Sequence, residues 1–373
     1  MSPENENKII GITISIVFEN SSMNRDQSVG NIMTLKKLTI GNTDHIMLSR
    51  QWMTNKIINT LVSRFPDDWK PAPLTVAKKV IQYELLKPGE KIKVVGDIIN
   101  YAELDAFGYM STAEKKKRKK EQEEEDSDKE SNKKNGIQVT LTRKAPVSAT
   151  KAISLYPWKG DMGFYANHAM VSRYNETSPE EPATPDPYSK EECYSLFKFS
   201  VTIDLKMLGE DTWFLPDNVI NKLDIPKIED KYGTVELNKE KKSLKFKLNP
   251  ETKTKRVLQI LDVLKDGLIA HGSGENYGII PLFIVAAPVK IPIPLFHSII
   301  QVNHETGKIV VEDMLNIIKD NGYIVREGDK PIVYIQSFRK DILDEKDTEA
   351  LSDYCGYNGF KDYIKDYIEN HKK

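Results

Sequence analysis

The sequence predicts an α+β fold with an antiparallel sheet and helices on one of its faces. Three patterns support this prediction. Residues 10–18 and 197–205 each alternate β-branched, aromatic or leucine side chains with smaller or polar ones, which is typical of strands. Residues 257–264 carry six aliphatic side chains in the spacing of an amphipathic helix.

The first predicted unit is a strand, a long polar loop and a helix. The strand at 10–18 is expected to bury one face, and the loop covers residues 21–37. Ser49 stands where a helix N-cap is needed. The helix after it is indicated by apolar residues spaced four apart, namely Met53, Ile57, Leu61 and Phe65.

The later elements complete the pattern. The helix at 257–264 is expected to end at HGSGENYG (271–278), with a buried strand at 279–287 and a short strand at 331–336. Strand–helix followed by strand–helix–strand fits the ferredoxin-like, or RRM-like, arrangement. The segments between these elements are too long for simple turns, so we expect long insertions.

Composition excludes several classes of protein. Lys and Arg total 54 and Asp and Glu total 55, so net charge gives no case for nucleic acid and only local patches are informative. Cys193 and Cys355 form no metal spacing and fit a reducing cytosol. The start MSPENENK lacks signal-peptide features, and no apolar run approaches the roughly 20 residues of a membrane span. We expect a soluble cytoplasmic protein with no membrane partner.

Catalytic motifs are not apparent in the sequence. None of the six histidines belongs to an HExxH motif, and there is no GxSxG. We therefore expect no metal or other cofactor. The glycines of 271–278 are expected to follow a helix, whereas phosphate-binding loops open one. Gly272 or Gly274 as a helix C-cap, and a glycine contact to a ligand backbone, both remain open.

Two segments are predicted to be exposed. EKKKRKKEQEEEDSDKESNKK (114–134) has nine basic and eight acidic residues and no apolar one, so it cannot bury a core. It is either a solvated linker or, through the six basic residues 115–120, a transient contact for nucleic acid. Residues 175–192 are rich in proline and acid and are predicted to be an exposed connector.

Local basic patches favour single-stranded nucleic acid. Between residues 21 and 56, five basic side chains stand against Asp26 and Asp44. Between 137 and 160 there are four basic side chains and no acid, with Tyr156 and Trp158 as stacking faces. Cations, small hydroxyls and aromatic rings hold a nucleic-acid backbone without reading its sequence. An ordinary solvated face, or a polar loop capping its own backbone, remains the alternative.

The order of these motifs resembles a known family. ITISIVF, SSMNRDQSVGNIMTLKK and HIMLSRQWMTNKI open the chain; AFGYM, RKAPVSATKAISL, FYANHA, LFKFSVTIDL and HGSGENYGIIPLF follow. The chain is similar to the DevR-like backbone subunits of type I-B CRISPR Cascade complexes over most of its length. The motifs are short, so their order carries more weight than any one of them.

The resemblance implies an RRM-like palm with an antiparallel sheet, carrying long insertions that include a thumb-like hairpin. The palm would comprise 1–100 and 193–345, and the thumb 101–160 with the charged tract inside it. Residues 161–192 would be a connector and 346–373 a C-terminal helical segment. Such a subunit is non-catalytic. Several copies form a filament along one CRISPR RNA, beside other Cascade subunits, and present the guide for pairing with target DNA.

The resemblance also implies which residues grip the RNA backbone, and the second basic patch adds three more. The opening loop would supply Ser22, Asn24, Arg25, Lys36 and Lys37, and the first helix Ser49, Arg50 and Gln51. The glycine loop would supply Gly272, Ser273 and Gly274, although Glu275 there is a departure from a basic pattern. The patch at 137–160 adds the cations Arg143, Lys144 and Lys151.

Two other functions stay open. Related backbone subunits cleave RNA with a loop aspartate, and Asp26 or Asp44 would then hold a magnesium ion. A structural or regulatory protein-binding module is the third possibility, and it predicts purification free of RNA.

Overall fold

The computed structural model describes residues 8–21, 23–77, 79–113, 139–271, 276–352, 354 and 356–370. The predictions made for Ser22, for Gly272, Ser273 and Gly274, and for the charged tract at 114–134 lie outside these residues. Helices and both antiparallel and parallel strand pairs occur, so the described chain is a mixed α and β protein in which antiparallel pairing predominates.

The strands of the described chain are, in order, Gly11–Ser21 (β1), Arg25–Val29 (β2), Ile32–Leu35 (β3), Lys37–Ile40 (β4), Thr43–Leu48 (β5), Leu74–Ala77 (β6), Val80–Tyr83 (β7), Leu86–Lys87 (β8), Ile92–Val94 (β9), Tyr109–Ala113 (β10), Val139–Arg143 (β11), Val147–Ala149 (β12), Ala152–Ser154 (β13), Met162–Tyr165 (β14), Tyr188–Glu191 (β15), Tyr194–Asp204 (β16), Glu210–Phe214 (β17), Leu223–Asp224 (β18), Gly233–Asn238 (β19), Ser243–Leu248 (β20), Leu268–His271 (β21), Asn276–Ile279 (β22), Pro281–Val289 (β23), Arg326–Glu327 (β24), Lys330–Pro331 (β25) and Tyr334–Ser337 (β26).

The α-helices of the same residues are Arg50–Arg64 (α1), Ala102–Phe107 (α2), His168–Thr177 (α3), Asp217–Ile220 (α4), Pro250–Asp266 (α5), Glu312–Asp320 (α6), Glu345–Leu351 (α7) and Tyr357–Asn370 (α8). A 3₁₀ turn occupies Lys340–Ile342. No helix within the described ranges is long and apolar enough to cross a membrane.

The chain forms two compact units. The first unit comprises residues 1–61, 148–203 and 259–364, and the second comprises 62–147, 204–258 and 365–373. This division differs from the one drawn from the sequence, since residues 62–100 and 204–258, which were assigned to the palm, belong to the second unit.

A large sheet forms the centre of the first unit. Its strand order is β26-β23-β1-β16-β13-β5-β4, with β12 also paired to β16. The three strands predicted from the sequence at 10–18, 197–205 and 279–287 are confirmed as β1, β16 and β23, and the short strand at 331–336 is confirmed in part by β26. β1 lies between β23 and β16, and the side chains on both of its faces are buried, so the prediction of one buried face is wrong.

Small hydroxyls make this double burial possible. Ser15 on β1 and Ser200 on β16 are both buried, and their hydroxyl oxygens lie 2.5 Å apart. Each hydroxyl thereby has a partner, which removes most of the cost of burying a polar group. The apolar core continues on β23 with Phe283 and Val285, which pack with Phe296 and Met314.

The first predicted helix is confirmed as α1. The Ser49 hydroxyl accepts a hydrogen bond from the Trp52 amide at 3.3 Å, as an N-cap does. Met53, Ile57 and Leu61 are fully buried, which confirms the first three positions of the apolar stripe, whereas Phe65 follows the end of the helix and is partly buried. Packing of that stripe, rather than intrinsic helix propensity, is what stabilises a helix of this kind.

The later helix, α5, ends earlier than the sequence predicted. It stops at Asp266, and Gly267 follows with φ +113°, a conformation that favours glycine. The Gly267 amide bonds to the Val263 carbonyl at 3.0 Å and closes the last turn. Of the two roles left open for Gly272 and Gly274, the helix C-cap is excluded, because α5 ends at Asp266 and β21 follows it in the chain.

A second, smaller sheet replaces the predicted polar loop. Residues 25–35 form the hairpin β2–β3, which turns at Gly30 with φ +58°. The predicted connector supplies β14 and β15, and the four strands pair in the order β14-β15-β3-β2. Both segments were expected to be irregular. Their few apolar residues lie on exposed strands, so their pattern lacks the buried face by which a strand is recognised.

Candidate nucleic-acid interface

The end of β1 and the start of α1 lie close together. Asn24 lies three residues after the end of β1. Its side-chain carbonyl accepts a hydrogen bond from the Ser49 amide at 2.8 Å. Arg50 and Gln51, the first two residues of α1, are exposed, and their side chains bond to no described residue. The structure thus brings together four of the predicted contacts: Asn24, Ser49, Arg50 and Gln51.

The electrostatics of this helix end favour an anion. The first turn of α1 contains no acidic residue and instead carries the cation Arg50. A helix N-terminus carries about half a positive charge, so acids usually stand there and a basic side chain is unfavourable. A phosphate bound at this end would satisfy both the helix dipole and Arg50.

The hairpin β21–β22 lies beside α1. The Ile269 amide donates to the Thr60 hydroxyl at 2.9 Å, and the Lys56 ammonium donates to the His271 carbonyl at 3.2 Å. Lys56 also lies 4.9 Å from the centre of the Trp52 ring. Lys56 belongs to the basic stretch noted in the sequence, but the predicted contacts did not include it. Gly272, Ser273 and Gly274 follow His271 directly in the chain and are outside the described residues.

Two exposed tyrosines lie in the same unit and were missed by the sequence reasoning. Tyr194 opens β16 with 64% of its surface exposed, and Tyr277 on β22 is 37% exposed. Partial burial, the Glu19 carboxylate and Tyr277 raise the pKa of the Tyr194 hydroxyl. Glu19 in turn accepts a hydrogen bond from Arg339 at 2.9 Å. Only one feature of the sequence could have indicated this site, namely the aromatic Tyr194 at the start of the strand pattern of β16.

The cations of the predicted loop are paired with acids. Arg25 lies 3.2 Å from Glu192 and Lys37 lies 2.6 Å from Glu191, while Lys36 lies 3.9 Å from Asp26. The side chains of these cations remain 22–30% exposed. The sequence suggested cations available to bind phosphate, but each of these three side chains already has an acidic partner.

Lys37 has a second partner. Its ammonium lies 3.8 Å from the centre of the Trp158 ring, and the second oxygen of Glu191 accepts the Leu35 amide at 2.8 Å. Glu191 thus connects β15 to both β3 and β4. A phosphate that binds Lys37 must compete with this carboxylate.

Arg143 must be removed from the predicted interface. Its side chain is only 4% exposed, and it bonds to Asp105 Oδ1 at 2.7 Å and to the Met207 carbonyl at 2.8 Å. Arg256 bonds to the other oxygen of Asp105 at 2.8 Å. A buried arginine with this many acceptors serves the core of the second unit and has no free donor for a phosphate.

The remaining predicted cations are exposed but separate. Lys144 belongs to the second unit and Lys151 to the first, and both are exposed. The structure therefore does not combine residues 137–160 into one patch within a single unit.

The aspartates considered for catalysis have other partners. Asp26 is the partner of Lys36, and Asp44 Oδ1 accepts the Thr39 hydroxyl at 2.8 Å. Among the residues that the structure describes, no group of three or more His, Cys, Asp or Glu side chains is arranged to hold a metal ion.

Comparison with known proteins tests the sequence resemblance. The family model described as "CRISPR-associated negative auto-regulator DevR/Csa2" matches residues 12–309, which is most of the chain. The chain belongs to the DevR/Csa2 family. This confirms the family predicted from the motif order. No curated protein matched the sequence.

Two solved structures align with this DevR/Csa2 member over nearly their whole length. A chain from a "CRISPR RNA-guided surveillance complex, pre-nicking" aligns with TM-score 0.50 and 9% identity, over 96% of this chain and 100% of that one. A chain from a "CRISPR RNA-guided surveillance complex" aligns with TM-score 0.47 and 11% identity, over 95% and 98%. At 9% identity, the alignment with the pre-nicking complex shows a shared fold and no more.

Proposed function

We propose that this DevR/Csa2 member is a non-catalytic, CRISPR RNA-binding backbone subunit of a type I-B Cascade. The observation that carries the proposal is the N-terminus of α1, where Arg50 and Gln51 are exposed, no acid is present, and Ser49 and Asn24 add neutral groups. Family membership supports it, as does the fold shared with a chain of an RNA-guided surveillance complex.

The strand order supports an RRM-like palm. Four neighbouring strands of the large sheet run β23-β1-β16-β13, with α1 between β1 and β13 in the chain and α5 between β16 and β23. This β-α-β-β-α-β order is that of ferredoxin-like domains. The hairpin β10–β11, within which the charged tract falls, is our candidate for the thumb.

The proposed grip does not depend on RNA sequence. A phosphate at the start of α1 would meet backbone amides and the Arg50 guanidinium, with Lys56 one and a half turns further along the helix. Contacts of this kind position a nucleic acid but do not read its bases. Guide pairing with target DNA would then provide specificity, which suits a subunit that must hold any guide.

Association with further copies is supported by an exposed apolar row. Across the smaller sheet, Val29, Ile32, Ser189 and Phe164 stand opposite one another in register, so their side chains lie on one face. Val29, Ile32 and Phe164 are 67%, 40% and 72% exposed. Apolar residues grouped in this way mark interaction surfaces. We propose that other copies, or other Cascade subunits, cover them.

The absence of catalysis is part of the proposal. Asp26 and Asp44 each have an internal partner, and we expect neither to support metal-dependent cleavage. Complementary RNA incubated with the assembled complex and magnesium should stay intact over hours. Cleavage that Asp26→Ala or Asp44→Ala abolishes would instead establish the ribonuclease alternative.

Replacement of Arg50 and Lys56 tests the proposed grip. We expect Arg50→Ala with Lys56→Ala to lower affinity about equally for unrelated single-stranded RNAs, because both side chains would meet the backbone. Losing two phosphate contacts should also shallow the slope of log affinity against log salt by about 1.4, since each contact contributes roughly 0.7 for single strands. Binding is measured by fluorescence anisotropy across a salt series.

The control for this test is Lys319→Ala, which removes one exposed cation from α6 in the same unit. It should leave affinity and slope unchanged. A double variant that binds RNA like the control, or that loses affinity for one sequence only, would contradict the backbone grip.

A further inference from the structure

Tyr194 is exposed at a position where the chain is otherwise buried. It is the first residue of β16, and most of the strand after it is buried on both faces, yet 64% of Tyr194 is exposed. A tyrosine is large and mainly apolar, so exposing its ring gives up part of the free energy that its burial would contribute. Exposure at the end of an interior strand indicates a surface kept for contact.

Charged groups surround Tyr194. The Glu19 carboxylate acts on its hydroxyl, and Arg339 bonds to Glu19 at 2.9 Å. Arg339 also lies 3.1 Å from Asp341, so this cation is shared by two acids.

Tyr277 provides a second ring nearby. It lies on β22, which contacts β1, and β1 pairs with β16, the strand that Tyr194 opens. Its hairpin is the one that Lys56 holds through the His271 carbonyl. Two exposed aromatic rings thus lie in the same unit as the N-terminus of α1, with the cations Lys56 and Arg339 around them.

We propose that Tyr194 and Tyr277 form a stacking site for an unpaired base of the bound RNA. This inference rests on the proposed function, because the stacked base would belong to the same RNA molecule whose phosphates would contact α1. Stacking on a tyrosine face tolerates every base, so the site adds affinity without adding sequence preference. The exposed rings, rather than the cations, would then account for the part of the affinity that does not depend on salt.

Abasic RNA separates stacking from phosphate contacts. The probes are a single-stranded oligoadenylate and a chain of the same length with abasic nucleotides. Because one stacked base contributes about 1–3 kcal/mol, Tyr194→Ala should weaken oligoadenylate binding about 5- to 150-fold. Its salt slope and its affinity for the abasic chain should stay at the wild-type values. Tyr277→Ala should behave in the same way, and Tyr194→Phe, which keeps the ring, should retain most of the affinity.

Tyr323→Ala is the matched control. Tyr323 is 42% exposed. Its carbonyl accepts a hydrogen bond from the Lys290 amide, which directly follows the C-terminal end of β23. Its replacement should change neither affinity. Thermal unfolding of each variant checks that the fold persists, which the exposure of Tyr194 and Tyr277 leads us to expect.

Two results would overturn the stacking site. Equal losses for the oligoadenylate and the abasic chain would show that Tyr194→Ala acts through the backbone or the fold. Wild-type affinity in both tyrosine variants would show that no base contacts them. In either case a loss with Arg50→Ala and Lys56→Ala would leave the proposed function standing, whereas wild-type protein that binds neither probe would refute the proposed function itself.

Discussion

At the scale of single residues, Asp105 shows how a buried charge is made acceptable. Its carboxylate is fully buried and accepts hydrogen bonds from Arg143 at 2.7 Å, from Arg256 at 2.8 Å and from the Gly209 amide at 2.9 Å. Each oxygen thereby has at least one charged partner. Removing the acid would leave the buried Arg256 guanidinium without this counter-charge and Arg143 with only Asp211, at 3.6 Å, which is far more costly than never having buried the charges.

We therefore predict that Asp105→Ala destabilises the protein by about 3–5 kcal/mol, the usual cost of breaking a buried ion pair from one side. Urea unfolding followed by tryptophan fluorescence measures the loss. The control is Lys242→Ala, which breaks the exposed pair with Asp217 at 2.7 Å and should cost below about 1 kcal/mol. Equal effects of the two substitutions would show that the buried network does not stabilise the fold.

At the scale of elements, Glu191 stabilises the smaller sheet. Its carboxylate, about 10% exposed, accepts both the Lys37 ammonium at 2.6 Å and the Leu35 amide at 2.8 Å. We predict that Glu191→Ala loosens β3 and speeds hydrogen exchange at the Leu35 amide about tenfold, which corresponds to a local loss of roughly 1.4 kcal/mol. Protection on β1 should not change.

Hydrogen exchange followed by mass spectrometry makes this measurement, with Glu180→Ala in an exposed segment as the control. Unchanged exchange at Leu35 would mean that backbone pairing alone holds the sheet. Faster exchange on β1 as well would mean that the substitution destabilises the whole unit.

The strands that the sequence predicted correctly are those with an apolar pattern. β1, β16 and β23 contain runs of Ile, Val and Phe, and their burial is what the pattern encodes. The burial of both faces of β1 was not predicted, because Thr13 and Ser15 are polar and only the folded chain reveals that they are enclosed.

The smaller sheet could not be predicted, because the apolar residues of its strands are mostly exposed and only Leu35 among them is buried. Residues 25–35 and 162–191 lie far apart in the chain, and pairing between β15 and β3 is visible only in three dimensions. The same limit applied to the candidate site. Arg50 and Gln51 were found from the family motif, whereas Arg143 was assigned to the surface because sequence does not reveal that Asp105 and Arg256 surround it.

At the scale of the whole molecule, the exposed row of the smaller sheet is the feature that an isolated monomer does not explain. We predict that Phe164→Asp shortens the assemblies formed on a long guide RNA, because it places a charge where an apolar contact is expected. Affinity for an RNA that accommodates a single copy should not change. Analytical ultracentrifugation with RNAs of increasing length measures both quantities.

Phe214→Asp is the control for that experiment, since Phe214 is equally exposed, at 72%, but lies on β17 in the second unit. Assemblies of normal length with Phe164→Asp would refute a role for this row in contacts between subunits. Weaker binding of a single copy would indicate that the row contacts RNA instead.

The most direct test of the central claim is to isolate the protein from cells that carry a CRISPR array and to sequence the nucleic acid bound to it. We expect large assemblies that contain guide RNA bounded by repeat sequence, and we expect Arg50→Ala with Lys56→Ala to reduce the amount of RNA recovered. Protein that is monomeric and free of RNA, both alone and when its partner subunits are present, would contradict the account.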